Sequence, residues 1–291
     1  MPFLTTTDGC QIYYTTRGID TSNSIVIFLN GTTQTTLYWG ATVPVFLKHF
    51  GLLYYDARAQ GQSDLGHKPL SLKLHVADLN CLMEELGIDR ACLVGISHGA
   101  RLALAMATEY PDKVDRMVLC SLGARTNQRS ITTVRSWLQL LHLSGLEAMA
   151  WAALPAVFGE NFLKQHQNSL DMIVKAVVKR NRKEALIAQL EAILQYPPPD
   201  VMPMDFNRPA LVITGAQDPL VNVEDAERLA GLCKAQHEQL PGIGHSIPAE
   251  AQKVFEKVVL DFLTQKKIDD RCQITEDRRH KKKVRDPQKE I

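Results

Sequence analysis

Ser97, Asp218 and His245 are the residues of this 291-residue chain whose types and placement could together perform a nucleophilic attack. Ser97 stands in Gly95-Ile96-Ser97-His98-Gly99, between an apolar strand-like run, Ala91 to Ile96, and a segment of helical composition that ends before Pro111. Glycines two before and two after the serine allow a strand and a helix to approach closely while the serine holds a strained backbone and presents its hydroxyl. Such a hydroxyl needs a base, and the base needs a carboxylate to orient it. Asp218 follows Gly215-Ala216-Gln217 at the end of the apolar run Ala210 to Thr214, and His245 lies in Pro241-Gly242-Ile243-Gly244-His245-Ser246. Each has an ordinary explanation alone, since Asp before Pro starts turns and histidine suits a glycine loop. Their joint placement past successive strand ends argues for chemistry.

Acyl chemistry also needs donors for an oxyanion. The loop Asn30-Gly31-Thr32-Thr33-Gln34-Thr35 follows the apolar run Ile25 to Leu29. Gly31 frees the backbone to aim the Thr32 amide, and the residue after the serine supplies the His98 amide as second donor. The His98 side chain needs no part in this.

The elements that must position these groups follow from the pattern. Leu4 to Thr7 and Gln11 to Thr16 alternate around Asp8-Gly9 and predict a β-hairpin. Ile25 to Leu29, Gly51 to Tyr55, Ala91 to Ile96 and Val114 to Cys120 are uninterrupted apolar runs, the signature of strands buried on both faces of a parallel sheet. Helices are expected over Leu72 to Leu86, His98 to Tyr110, Val223 to Lys234 and Glu250 to Thr264, with strands at Ala210 to Thr214 and His237 to Leu240. This alternation predicts a doubly wound α/β sheet. The expected organisation is a core from residues 1–123 and 208–265, a helical cap over 124–207 and a basic, mobile tail over 266–291. The tail carries ten Lys and Arg against six Asp and Glu.

Between Ala124 and Asn207 no strand is evident, and Trp137, Trp151, Leu154, Phe158 and Phe162, with Leu138, Leu140, Leu141 and Leu143, supply a large apolar payload. Most of it is expected to pack helix on helix, with Trp137, Trp151 and Phe158, besides Gly31, as candidate substrate contacts. Lys175, Lys179, Arg180, Arg182 and Lys183 crowd one stretch of this segment, and Arg125, Arg129 and Arg135 its start. The ordinary reading is a solvated helix face; the sharper one is a dock for acyl carrier protein or coenzyme A.

A net charge of +1 argues against general nucleic-acid binding. The start Met-Pro-Phe-Leu-Thr-Thr-Thr-Asp-Gly lacks a leader pattern, and no segment reads as roughly 18 consecutive apolar residues, so the expectation is a cytoplasmic protein with no membrane span. Cys10, Cys81, Cys92, Cys120, Cys233 and Cys272 have no Cys-x-x-Cys spacing and suggest buried free thiols. Neither a metal nor a cofactor is expected, and oligomeric state is not legible.

Over about Phe3 to Leu263 the chain resembles the α/β-hydrolase fold superfamily. The Ser, Asp, His order, Leu29-Asn30-Gly31, the stretch Tyr55-Asp56-Ala57-Arg58-Ala59-Gln60-Gly61-Gln62-Ser63-Asp64, the elbow and Gly215-Ala216-Gln217-Asp218 are similar to its serine esterase and enol-lactonase branch. Similarity to pimeloyl-carrier methyl esterases is looser. The resemblance implies a mostly parallel sheet of about eight strands with a helical cap after the sixth, and a serine hydrolase of carboxylic esters, lactones or thioesters. Two departures stand out: Asn30 where many members carry histidine, and Ala59 where the first glycine of Asp-x-Arg-Gly-x-Gly-x-Ser is usual. The stretch from Asp56 to Asp64 reads as a structural turn. Haloalkane dehalogenases and epoxide hydrolases resemble this fold but carry aspartate at the elbow, so Ser97 points away from them. A ligand receptor that keeps the three residues is the competing class.

Overall fold

In the computed structural model, residues 2–265 are described, apart from 23 and 204–206. The expected tail, with Cys272, lies outside them. The chain opens with β1 (Phe3–Thr5) and β2 (Gln11–Arg17), an antiparallel pair with Leu4 opposite Ile12 and Gly9 at φ 81° in the turn. Then come β3 (Ile25–Leu29), the short α1 (Val43–Phe46), β4 (Gly51–Tyr55), α2 (Leu72–Glu85), β5 (Ala91–Ile96), α3 (His98–Glu109) and β6 (Val114–Cys120). The sheet order is β1-β2-β4-β3-β5-β6, continued by β7 (Ala210–Gly215) and β8 (Gln236–Leu240). From β4 to β8 all pairings are parallel, while β2 joins β4 antiparallel.

The uninterrupted apolar strands are inside because both sheet faces are covered. On one face α2, α3 and α8 (Val223–Cys233) bury Leu79, Met83, Leu104, Met106 and Leu229. On the other, Trp39, Phe46, Phe255 and Phe262 pack beneath α1 and α10 (Gln252–Thr264). The edge strand β8 reads Gln-His-Glu-Gln-Leu, and only Leu240 is buried, a polar border that discourages further pairing.

Between β6 and β7 the chain is helical: α4 (Gln128–Val157), α5 (Glu160–Gln165), α6 (Leu170–Arg180) and α7 (Lys183–Ile193). Asn127 caps α4 by accepting from the Ser130 amide at 2.8 Å. Within α4, Gly145 takes φ 84° and ψ −172°, so two helices meet there at a kink. Contrary to the sequence expectation, this one described helix is long and apolar enough to cross a membrane by length and composition. Its kink divides it, and Leu141, Met149 and Leu154 along it are buried.

The predicted strands agree with the structure within two residues at either end, the first differing most: its expected end is Thr7 and it stops at Thr5. The expected helix from Glu250 to Thr264 differs more. It is divided into α9 (Ile247–Glu250) and α10, because Ala251 leaves helical geometry at φ −137°.

Candidate active site

The sharp turn between β5 and α3 works because Gly95 and Gly99 lack a side chain. A Cβ on Gly95 would stand 2.3 Å from the Gly99 carbonyl oxygen, and one on Gly99 would stand 2.2 Å from the Leu29 carbonyl oxygen. Strand, helix and β3 therefore touch backbone to backbone. Ser97, between them, sits at φ 52° and ψ −110°, an outlier conformation of a kind that costs roughly 1–3 kcal/mol. Its amide donates to the Cys120 carbonyl of β6 at 2.8 Å, which ties the turn to the next strand.

Asp218 follows β7. One carboxylate oxygen, Oδ1, accepts from the Leu220 amide at 2.8 Å and the Val221 amide at 3.1 Å, so the group is oriented by its own turn. The other, Oδ2, lies 2.7 Å from Nδ1 of His245. With Nδ1–H donated to the carboxylate, Nε2 is left as the acceptor. Burial opposes a charge on this imidazole more than any other single influence. Yet the Asp218 charge, its hydrogen bond and the Glu250 charge together raise the His245 pKa above the ordinary 6.5.

The loop carrying His245 is held from three sides. The Ser121 hydroxyl donates to the His245 carbonyl at 2.7 Å, the Gln217 amide donates to the Ile243 carbonyl at 2.8 Å, and Glu250 accepts from the Gly244 amide at 2.9 Å and the Ser246 amide at 3.2 Å. Glu250 also accepts from the Gly159 amide, between α4 and α5, at 2.8 Å. Burial raises the pKa of this carboxyl despite its three N–H donors.

Opposite, the loop after β3 is fixed by side chains on both flanks. Asn30 donates to the Tyr55 carbonyl at 2.9 Å and accepts from the Trp39 indole at 2.8 Å, two duties that suit a carboxamide at the position where many similar chains have histidine. The Gly31 amide donates to Gln34 Oε1 at 2.8 Å, and Gln60 donates to the Gly31 carbonyl at 2.9 Å. Among the described residues the amides of Thr32 and His98 have no protein acceptor. The His98 amide opens α3, where helix polarity favours negative charge. Burial, then the Arg101 charge, lowers the His98 imidazole pKa to about 4, so its side chain is neutral at neutral pH.

Ser97, His245, Thr32 and His98 all line one cavity of about 1030 Å³, roofed by the helices between β6 and β7. The remaining wall is mainly apolar.

The model of the alpha/beta hydrolase fold matches residues 24–252. The chain belongs to the alpha/beta hydrolase fold family. It is a hydrolase. Its sequence is 24% identical to a putative carbamate hydrolase of Caulobacter vibrioides over 89% of this chain and 96% of that one. It also resembles the enol-lactonase from Burkholderia xenovorans LB400, with a TM-score of 0.80, 27% identity and coverage of 91% of this chain and all of that one. A third likeness is to MGS-M2, an alpha/beta hydrolase enzyme from a Medee basin deep-sea metagenome library: TM-score 0.83, 26% identity, 92% of this chain and 99% of that one.

In this member of the family the candidate contacts Gly31, Trp137 and Phe158 line the cavity. Trp151 does not: it is exposed. The cause is helical phase, because Ala150, Ala153, Leu154 and Val157 turn inward and residue 151 falls on the other side of α4. The basic stretch at the end of α6 is also divided. Arg180 lines the cavity, and Arg182 donates to the carbonyls of Gly61 and Ser63. The turn from Asp56 is structural: Asp56 accepts from the Thr36 amide at 2.6 Å and the Gln62 amide at 2.9 Å, and Arg58 pairs with Asp78 and Asp8. Ala59 there adopts φ 69°, which explains why glycine is usual.

Several residues at the site escaped sequence reasoning. Ser121 and Glu250 act on backbone amides and carbonyls, a role without a residue signature. The Tyr38 hydroxyl lies 3.2 Å from that of Ser246, and no motif marks this tyrosine in the sequence. Arg101 had a visible signal, a charge within the apolar helix Leu102-Ala103-Leu104-Ala105 one turn after the serine.

Proposed function

We propose that the protein is a serine hydrolase that cleaves a carboxylic ester or lactone through an acyl-enzyme on Ser97. The observation that carries this reading is the 2.7 Å contact of His245 with Asp218, on a cavity shared with the strained Ser97. His245 Nε2 takes the Ser97 proton as Oγ bonds to the substrate carbonyl carbon. The amides of Thr32 and His98 receive the developing oxyanion, and Asp218 steadies the imidazolium. The imidazolium then gives its proton to the departing oxygen as the carbon–oxygen bond breaks. Water, deprotonated by the same histidine, releases the acid and restores the serine. The helices between β6 and β7 serve as a cap whose apolar wall receives the acyl chain, which agrees with the likeness to an enol-lactonase. Activity would be assayed on a panel of 4-nitrophenyl esters and lactones. Ser97→Ala is expected to lower kcat about 10⁴-fold or more with the fold intact. A Ser97→Ala variant of undiminished turnover overturns the reading, and so does a wild-type protein that binds these compounds without repeated turnover.

A further inference from the structure

The cavity wall is mainly apolar and carries few charged residues, and one of these is placed close to the nucleophile. Arg101 lies on α3 one turn beyond Ser97, its amide donating to the Ser97 carbonyl at 3.0 Å, and it lines the cavity. Residues four apart on a helix stand about 5–6 Å apart at Cβ, so the guanidinium and the serine hydroxyl serve one chamber. Nη1 donates to the Pro197 carbonyl at 3.1 Å and Nη2 to the Thr126 hydroxyl at 3.3 Å. These contacts aim the group and use two of its five N–H donors.

Among the described residues no carboxylate pairs with Arg101. Asp200, also on the cavity wall, is engaged by Arg125 at 3.5 Å and Arg228 at 3.4 Å. Arg58 and Arg116, which are more deeply buried than the half-buried Arg101, are compensated differently. Arg58 has two carboxylates, and Arg116 donates to the Phe262 and Gln265 carbonyls at the C-terminal end of α10, where helix polarity is negative. Burial draws the Arg101 pKa down to about 10, so the group stays charged at neutral pH while its enclosure works against that charge. A half-buried cation without a counter-charge keeps donors free for a ligand, and here the residue lines the cavity.

We propose that Arg101 docks a carboxylate of the substrate itself, so that the natural substrate is an ester or lactone whose acyl part carries a second, free carboxyl group. A guanidinium fork matches a planar carboxylate with two parallel hydrogen bonds. Held there, the anion stays in place while the acyl group moves from its leaving oxygen to Ser97 and then to water. This rests on the acyl-transfer reading above.

The test uses 4-nitrophenyl monoesters of straight-chain dicarboxylic acids of increasing length, each paired with the analogue whose free carboxyl is a carboxamide. At the matching length the wild-type kcat/KM is expected to favour the acid by about 10- to 100-fold, the range of a charge-assisted contact. Arg101→Gln is expected to collapse that ratio towards one, and Arg101→Lys, which keeps the charge but loses the fork, to retain part of it. A wild-type ratio near one at every length overturns the proposal, as does an equal fall for acid and amide in both variants. Calorimetry of the same free dicarboxylic acids with Ser97→Ala, and with Ser97→Ala combined with Arg101→Gln, separates the two claims. Arg101-dependent binding without turnover of any ester refutes acyl transfer alone; turnover with a flat ratio refutes the Arg101 dock alone.

Discussion

At the residue scale, one imidazole is prepared to accept a proton. His245 must be neutral to act as base, and its pKa is raised above 6.5 because Asp218, with help from Glu250, outweighs the opposing effect of burial. The sign follows: below that raised value the imidazole is protonated and cannot serve, so activity is lost as pH falls through it. The rising limb of kcat/KM is expected above pH 6.5, read from a pH–rate profile with an ester whose own hydrolysis is corrected for. Asp218→Asn removes the charge and leaves the burial, so the limb should move down while kcat drops about 10⁴-fold. A limb that stays in place in Asp218→Asn would show that the carboxylate does not set the state of His245.

At the element scale, the site depends on three segments approaching without side chains between them. A Cβ at residue 99 would meet the Leu29 carbonyl at 2.2 Å, backbone that cannot swing aside. Gly99→Ala is therefore expected to lose at least about 1–3 kcal/mol in a denaturant titration, as overpacking does, and to displace the Thr32 and His98 amides from their common target. An alanine variant of unchanged stability and activity would contradict the close packing. This level was largely legible in the sequence: uninterrupted apolar runs mark strands covered on both faces, and the elbow glycines mark a close approach. The phase of a cap helix was not. Trp137 and Trp151 look equivalent in composition, and only the turn of α4 decides that one faces the cavity and the other solvent. Ala59 shows the converse, since the missing glycine was visible and its left-handed backbone was not.

At the scale of the whole molecule, the helices between β6 and β7 and the sheet meet beside His245. Glu250 accepts at once from Gly159 of the helical segment and from Gly244 and Ser246 around His245, and the Ser246 amide donates to the Val157 carbonyl at 2.9 Å. A change in the roof is thereby felt at the imidazole. Glu250→Gln places an amide NH₂ against N–H donors and removes a charge that raises the His245 pKa. It should cost about 1–3 kcal/mol of stability and shift the rising limb of kcat/KM downward by less than Asp218→Asn does. A melting loss with the limb unmoved would make Glu250 a structural strut only. This coupling has no sequence signature, because its partners are backbone amides far apart in the chain.

The central claim is that Ser97 is a nucleophile activated by His245. Peptide mapping by mass spectrometry after treatment with a fluorophosphonate measures this most directly. One adduct per chain is expected, on the peptide containing Ser97, with labelling slowed in His245→Ala. An adduct absent from Ser97, in protein that still turns over esters, would contradict it.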